Sequence, residues 1–341
     1  ALHKNDYIIQ IIGSHNEGTM TTMESTDKLM QWFEDAGWSD DGVDKRIGSY
    51  VTLREARKNH NNAVYIDFKD TKYSKWLGER IKQYDQLLNS CKIELWYDNG
   101  VLDRKFKKFT VQRKFIKYQS SFDNMEFAFG GRMPGPWVNL PSKDRENITI
   151  NGEATVELDR DASHLNAMYQ VVTGAPYPGN DDPYNISVDG VGVPRHIAKN
   201  FSSFMQGSKS TKGVAHSVIN HYKRKATEVK APKDSDIKKY EEYVEFKKNI
   251  KPTDIANAIL DKHPKVANYY NNGKSYGDFI GCWESDIVFE VVMELTKRGI
   301  PCLTVYDSFI VPLQYEELVN SIKDTMPYVD RRGLDKELFK K

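Results

Sequence analysis

The chain has 341 residues, 28% of them charged, a formal net charge of +1 at neutral pH and a mean hydropathy of −0.65. That length supports two or three subdomains with a real core. No apolar run approaches the roughly 18 residues that a membrane span needs, so a polar, soluble protein is expected.

Residues 1–30 lack a basic stretch followed by an apolar one, so no secretory signal is expected and a cytoplasmic location, in a bacterial or phage-infected cell, is. Residues 1–100 read mainly as helices with short breaks. Residues 23–36 place Leu29, Met30, Phe33 and Ala36 at helical spacing, and residues 73–88 do the same with Trp76, Leu77, Ile81 and Tyr84. Residues 93–97, the turn Asp98-Asn99-Gly100 and residues 106–115 suggest a hairpin. Phe129-Gly-Gly-Arg132-Met-Pro-Gly-Pro-Trp137 is a loop by composition. Residues 148–150, Asn151-Gly152 and residues 155–159 read as a second hairpin, because Asn-Gly favours a type I′ turn.

Residues 165–172 look helical, and 176–193, rich in Pro, Gly and Asp, look like a loop. Pro194 suits a helix start. In the helix that follows, Ile197, Phe201, Phe204 and Met205 make an apolar stripe, while Arg195, Lys199, Ser203 and Gln206 fall on another face. Residues 223–250 form a charged helical hairpin or insertion. Residues 283–298 form an amphipathic helix closed by Gly299 and Pro301. Residues 302–305 and 309–311 then read as strands, with Asp307 at the bend. Cys91, Cys282 and Cys302 are odd in number and far apart, which fits free thiols rather than a disulfide or metal framework.

Charge is unevenly spread. From Glu153 to Asp189 it is nearly all acidic, and from Arg195 to Lys251 mostly basic, including Lys209, Lys223 and Lys230. Residues 104–117 form a second basic block interleaved with Phe106, Phe109 and Phe115. Acidic floor and basic walls suit a polyanionic substrate. Val156-Glu-Leu-Asp159 and Val305-Tyr-Asp307-Ser308 each set an aspartate at the end of an apolar strand-like run. Asp307, between apolar strands, is costly unless paired or metal-bound. Asp159 and Asp307 on neighbouring strands can hold Mg²⁺, which takes one or two protein carboxylates and fills the rest with phosphate and water. Glu157 and Asp161 share the face of Asp159 at strand period two, as outer partners. Arg195 and Lys199, four apart, can grip a triphosphate.

Four segments together resemble the family A DNA polymerases and the phage-type single-subunit RNA polymerases. Val156-Glu-Leu-Asp159-Arg-Asp-Ala-Ser-His164 resembles motif A. Arg195-x-x-x-Lys199 with Gln206-Gly-Ser-Lys209 resembles motif B, and Val305-Tyr-Asp307-Ser-Phe resembles motif C. Gly130-Gly-Arg132…Trp137-Val-Asn139-Leu-Pro141 resembles the segment that touches the template–primer. The likeness covers residues 127–327, in the right order and spacing, and extends to short polymerase-like proteins of phages and mobile elements. It implies an α+β right-hand polymerase fold: an antiparallel-sheet palm (126–194 and 276–341), helical fingers (195–275), and a thumb-like or accessory region, mainly helical, at 1–125.

The same resemblance implies two Mg²⁺ ions, with Mn²⁺ as the alternative, on Asp159, Asp307 and the Arg160 carbonyl. It gives nucleotide binding to Arg195, Lys199, His164, Gln206 and Arg160, and proton donation to pyrophosphate to Lys199. It gives nucleic-acid contacts to Arg132, Asn139, Lys209 and Tyr306. His164 stands at the sugar gate, where a bulky side chain favours deoxynucleotides. Tyr306 departs from the usual motif C histidine, the motif B Tyr-Gly is absent, and Asp161 stands where a small residue is common. The expected activity is template-directed DNA synthesis on a primer and template, by a monomer or within a replication or transcription assembly. RNA or primer synthesis is the near alternative; a metal-dependent nuclease and an inactive nucleic-acid-binding relative are alternatives of other classes.

Overall fold

The structure is a computed structural model of the chain and describes residues 8–11, 22–35, 49–56, 64–97, 99–107, 109–118, 126–229, 232–271 and 274–333. Its elements, in order, are β1 (Ile8–Ile11), β2 (Thr22–Ser25), α1 (Asp27–Asp35), β3 (Val51–Glu55), β4 (Tyr65–Ile66), α2 (Lys72–Ser90), β5 (Ile93–Trp96), β6 (Leu102–Phe106), β7 (Arg113–Lys117) and β8 (Phe129–Arg132). There follow α3 (Ser142–Arg145), β9 (Ile148–Ile150), β10 (Glu153–Asp159), α4 (Ser163–Thr173), β11 (Ser187–Val188), β12 (Val191–Gly192), α5 (Arg195–Gly207) and α6 (Thr211–Lys223). The last are α7 (Asp234–Phe246), α8 (Pro252–Lys262), α9 (Lys274–Lys297), β13 (Leu303–Val305), β14 (Ser308–Pro312) and α10 (Glu316–Ile322). The fold is mixed α and β, and among the described residues no helix is long and apolar enough to cross a membrane.

The chain divides into two compact units, one of Ala1–Gly48 with His216–Asn249 and the other of Ser49–Ala215 with Ile250–Lys341. In the first, β1 and β2 pair antiparallel. A π-helical turn over Arg224–Glu228 leads towards α7, and the rings of Tyr222 and Tyr243 lie 5.1 Å apart. The charged stretch after Lys223 is thus helical, as its composition suggests. Lys230 lies outside the described residues.

The second unit holds a six-stranded sheet in the order β13-β14-β10-β9-β5-β6, every pair antiparallel. The β9–β10 hairpin turns through Asn151 and Gly152, both with positive φ, as a type I′ turn requires. A second sheet, β4-β3-β7-β8, is antiparallel except for the parallel pair β3–β7. Helix α2 opens with a reciprocal Thr71–Ser74 capping box and buries Leu77, Ile81, Tyr84 and Leu88 at spacings of three and four. Each such side chain contributes roughly 1.5–3 kcal/mol of burial. Helix α9 is buried on most sides, packs against β8, α2, α4 and α5, and carries Ile287, Val291, Val292 and Leu295 into the core.

Two of the acids on α9, Glu284 and Asp286, are buried. Asp286 is enclosed by the guanidinium groups of Arg113 and Arg332, both buried. Burial pulls the two guanidinium groups down, but Tyr73 and then Asp286 beside Arg113, and Asp286 beside Arg332, hold both above their ordinary value. Arg332 Nη1 also donates to the Phe127 carbonyl at 2.6 Å, which fastens the end of the described chain to the segment just before β8 as well.

Several expectations are corrected. The first 125 residues are not mainly helical: among the described residues they hold seven strands beside α1 and α2. Residues 23–25 belong to β2, so the helix starts at Asp27; the side chains of Met30 and Phe33, and Ala36, lie outside the described residues. The partner of β5 is β6 rather than residues 106–115, and β7 leaves for the other sheet. Asp98 of that turn lies outside the described residues. Segment 129–132 is a strand despite its glycines, and α9 begins at Lys274 rather than Trp283. Strands β5 and β6 share a sheet with β10 and β14. Cys282 and Cys302 are free and buried, Cys91 free and half-buried.

Candidate functional site

Strand β10 delivers Thr155, Glu157 and Asp159 to one face, and its register with β14 sets Asp159 opposite Ser308. The Ser308 hydroxyl donates to Asp159 Oδ1. Asp307 lies in the two-residue loop that joins β13 to β14, so both aspartates line one cleft of about 510 Å³ with Arg145, Glu157 and Tyr306. The backbone beside each is unusual: Ala162 and Tyr306 have φ of 42° and 56°. Non-glycine residues there cost about 1–3 kcal/mol each and collect at functional sites.

Burial, then the nearby charges of Glu284 and Asp159, push the Asp307 carboxyl above its ordinary value. Asp159 and Asp307 lie in one cleft, and two carboxylates are the protein share of an Mg²⁺ site. The donor set therefore fits a hard divalent cation. Among the described residues no group of three or more His, Cys, Asp or Glu side chains is arranged around one point, so solvent or substrate oxygens would complete the shell. Glu157 is not a loose outer partner: Arg145 grips it in a bidentate pair at 2.7 and 2.8 Å. Asp161 lies beyond the end of β10, where its N–H donates to Asp324.

A chain of polar contacts runs from this cleft to α5. His164 Nδ1 lies 2.7 Å from Gln206 Oε1, and its Nε2 lies 3.3 Å from Glu284 Oε1. Arg132 Nη2 meets the other Glu284 oxygen at 3.1 Å, and its guanidinium sits 4.8 Å from the Tyr306 ring centre. Burial alone pushes the Glu284 carboxyl up, but His164 and Arg132 outweigh it and bring it down to about 2. Burial likewise pulls His164 down, yet the Glu284 charge holds the imidazole above its ordinary value. Glu284 is 2% exposed, and its partners come from α4 and β8. It was not among the expected site residues. The signal was present in Trp283-Glu284-Ser285-Asp286, three polar residues inside an otherwise apolar helix face.

The remaining expected residues are placed as follows. Arg195 and Lys199 are exposed on α5; Arg195 pairs with Asp182 and lies 5.4 Å from the Tyr184 ring centre. Burial pushes the Tyr184 hydroxyl up to about 12, with Arg195 lowering it and Asp182, Asp307 and Glu284 raising it, so Arg195 and Asp307 act on one group. Gln206 is buried and faces His164 rather than sharing the exposed face of Lys199. The Arg160 side chain is buried and donates to the Lys323 carbonyl at 2.7 Å, which leaves its backbone alone for any contact with a ligand. Asn139 and Tyr306 are exposed and line a neighbouring cleft of about 700 Å³, where Arg132 and His164 also lie; Lys209 is exposed just past α5. Comparison with protein-family models, curated proteins and solved structures finds no match to this chain.

Proposed function

We propose that the chain is a template-directed nucleotidyltransferase that extends DNA on a primer and template. One observation carries this: the β10–β14 register brings two separately encoded strand-end aspartates into one cleft, and a contact chain joins that cleft to the helix bearing Arg195 and Lys199. A nuclease needs the acids but not that helix.

In the proposed reaction a primer 3′-hydroxyl releases its proton to solvent and attacks the α-phosphorus of a nucleoside triphosphate, a new P–O bond forms, and the bond to pyrophosphate breaks. Asp159 and Asp307 would hold Mg²⁺, which supplies charge neutralisation at the reacting phosphate when bound. Arg195 and Lys199 bind the triphosphate, and Lys199 gives a proton to the leaving pyrophosphate. His164 is fixed at both ring nitrogens, so it does not swing aside to admit a 2′-hydroxyl, which favours deoxynucleotides over the RNA alternative.

The test is Mg²⁺-dependent extension of a labelled primer on a DNA template, with dNTPs and rNTPs in separate reactions, beside Asp307→Ala. Extension with dNTPs, abolished by the substitution, is expected. Extension with rNTPs alone, or product without primer, moves the chain to RNA or primer synthesis. Degradation without synthesis makes it a nuclease, and DNA binding with no product leaves a binding protein.

A further inference from the structure

The four-stranded sheet has two unlike faces. On one side Val51, Leu53 and Phe115 are almost fully buried in the core. Strand alternation then sends Arg54 of β3 and Lys114 and Ile116 of β7 to the other side. Register places Tyr65 opposite Arg54, and Lys114 opposite Arg132 of β8. These residues line the 700 Å³ cleft that Tyr306 shares with the aspartate cleft.

The face carries three cations, of which Arg132 is paired with Glu284 and Arg54 acts on Asp278. Arg54, Lys114 and Arg132 stand on three adjacent strands, each about 4.8 Å from the next, in a diagonal row, since Arg54 lies opposite Ile116. The cleft's one acidic lining residue among those described is Asp278, which takes a hydrogen bond from the Tyr118 hydroxyl. Gly130 also lines the cleft, with φ of 81°, and contributes no side chain to its floor. Tyr65 and Tyr306 are each more than half exposed, as flat surfaces a base can stack on. A row of cations with aromatic surfaces, on a groove leading to a phosphoryl-transfer site, matches a single polynucleotide strand better than a compact triphosphate. Strands β3, β4 and β7 lie outside the segments that resemble known polymerases.

We infer that the open face of this sheet, through Arg54, Lys114 and Tyr65 beside Arg132, grips the sugar–phosphate backbone of the strand that reaches Asp159 and Asp307. This rests on the polymerase proposal and assigns its strand-binding wall. The test is anisotropy of a labelled primer–template DNA titrated with the full chain over a KCl series, for wild type, Arg54→Ala/Lys114→Ala and the charge-retaining Arg54→Lys/Lys114→Arg. Each phosphate contact contributes about 0.7–0.9 to the slope of log affinity against log salt. The alanine pair is expected to flatten the slope by about 1.4–1.8 and weaken binding about tenfold or more near 0.1 M salt, and the charge-retaining pair to restore both. If the alanine pair misfolds by circular dichroism, Lys114→Gln alone is expected to flatten the slope by about 0.7–0.9.

An unchanged slope, or no DNA binding by wild type, overturns the assignment. So does a loss confined to deoxynucleoside triphosphate binding, which would give the face to the nucleotide. Primer extension separates the two claims. An unchanged slope with dNTP extension intact overturns only the strand-binding wall. A flattened slope without extension by wild type overturns only the polymerase.

Discussion

Replacing Glu284 by glutamine leaves Arg132 and His164 facing a neutral amide at a position 2% exposed. A carboxyl held at about 2 instead of its ordinary 4.5 corresponds to about 3 kcal/mol at neutral pH, at roughly 1.4 kcal/mol per tenfold in proton affinity. Stripping one partner from a buried ion pair costs about 3–5 kcal/mol, so the two routes agree. Because the folded value is depressed, the stability is fully present above 4.5 and is lost as pH falls towards 2. Urea unfolding at pH 7 should therefore show Glu284→Gln about 3 kcal/mol less stable, with the gap closing on acidification below 4.5. His164 gives a second readout by NMR titration. In wild type its value is raised, so its stabilising charge is present below 6.5 and lost as pH rises through the higher folded value. In Glu284→Gln burial acts on the ring without that counter-charge, and the titration should move below 6.5. Equal stability of the two proteins at pH 7, with His164 titrating alike in both, would refute the placement of Glu284 between the two cations.

Asp307→Asn should unfold at higher urea than wild type at pH 7 without divalent ions. The raised carboxyl penalises the fold as pH climbs above 3.8, so the advantage should vanish in acid and shrink when Mg²⁺ is added; an equal or weaker variant at pH 7 would contradict the strain assigned to this carboxylate. Tyr306 holds φ of 56°, so Tyr306→Gly should be about 1 kcal/mol more stable than Tyr306→Ala by urea unfolding, and the reverse order would remove the backbone argument. Lys199→Gln should slow single-nucleotide extension about 100-fold or more, the size of a lost general acid, with the DNA salt slope unchanged; a wild-type rate would end its role as proton donor.

How much was legible in the sequence follows from the range of the interactions. Asn151-Gly152 encodes its turn locally, and both aspartates close apolar runs whose pairing follows once the strands exist. The four-stranded sheet was missed because its parallel β3–β7 pair joins residues some sixty positions apart, and because arginine and lysine break up the apolar pattern of both strands. Those same cations line the cleft, so what disguised the strands is part of what they present. Glu284 escaped for a related reason: its partners His164 and Arg132 lie more than a hundred residues upstream. Arg195 and Lys199 were correctly placed on one exposed helical face, but their spacing carried no sign that Asp182 would occupy Arg195.

Glu284 and Asp286 stand two residues apart on α9, and at 3.6 residues per turn they point to nearly opposite sides of that helix. One is clamped by His164 and Arg132, the other by Arg113 and Arg332. The helix is thus keyed like a shaft with two pins. Turning it about its axis to ease one cluster would pull the other apart, against about 3–5 kcal/mol for a broken buried pair. Helix α5, which packs on α9, therefore rests on a helix whose rotation is resisted from both sides.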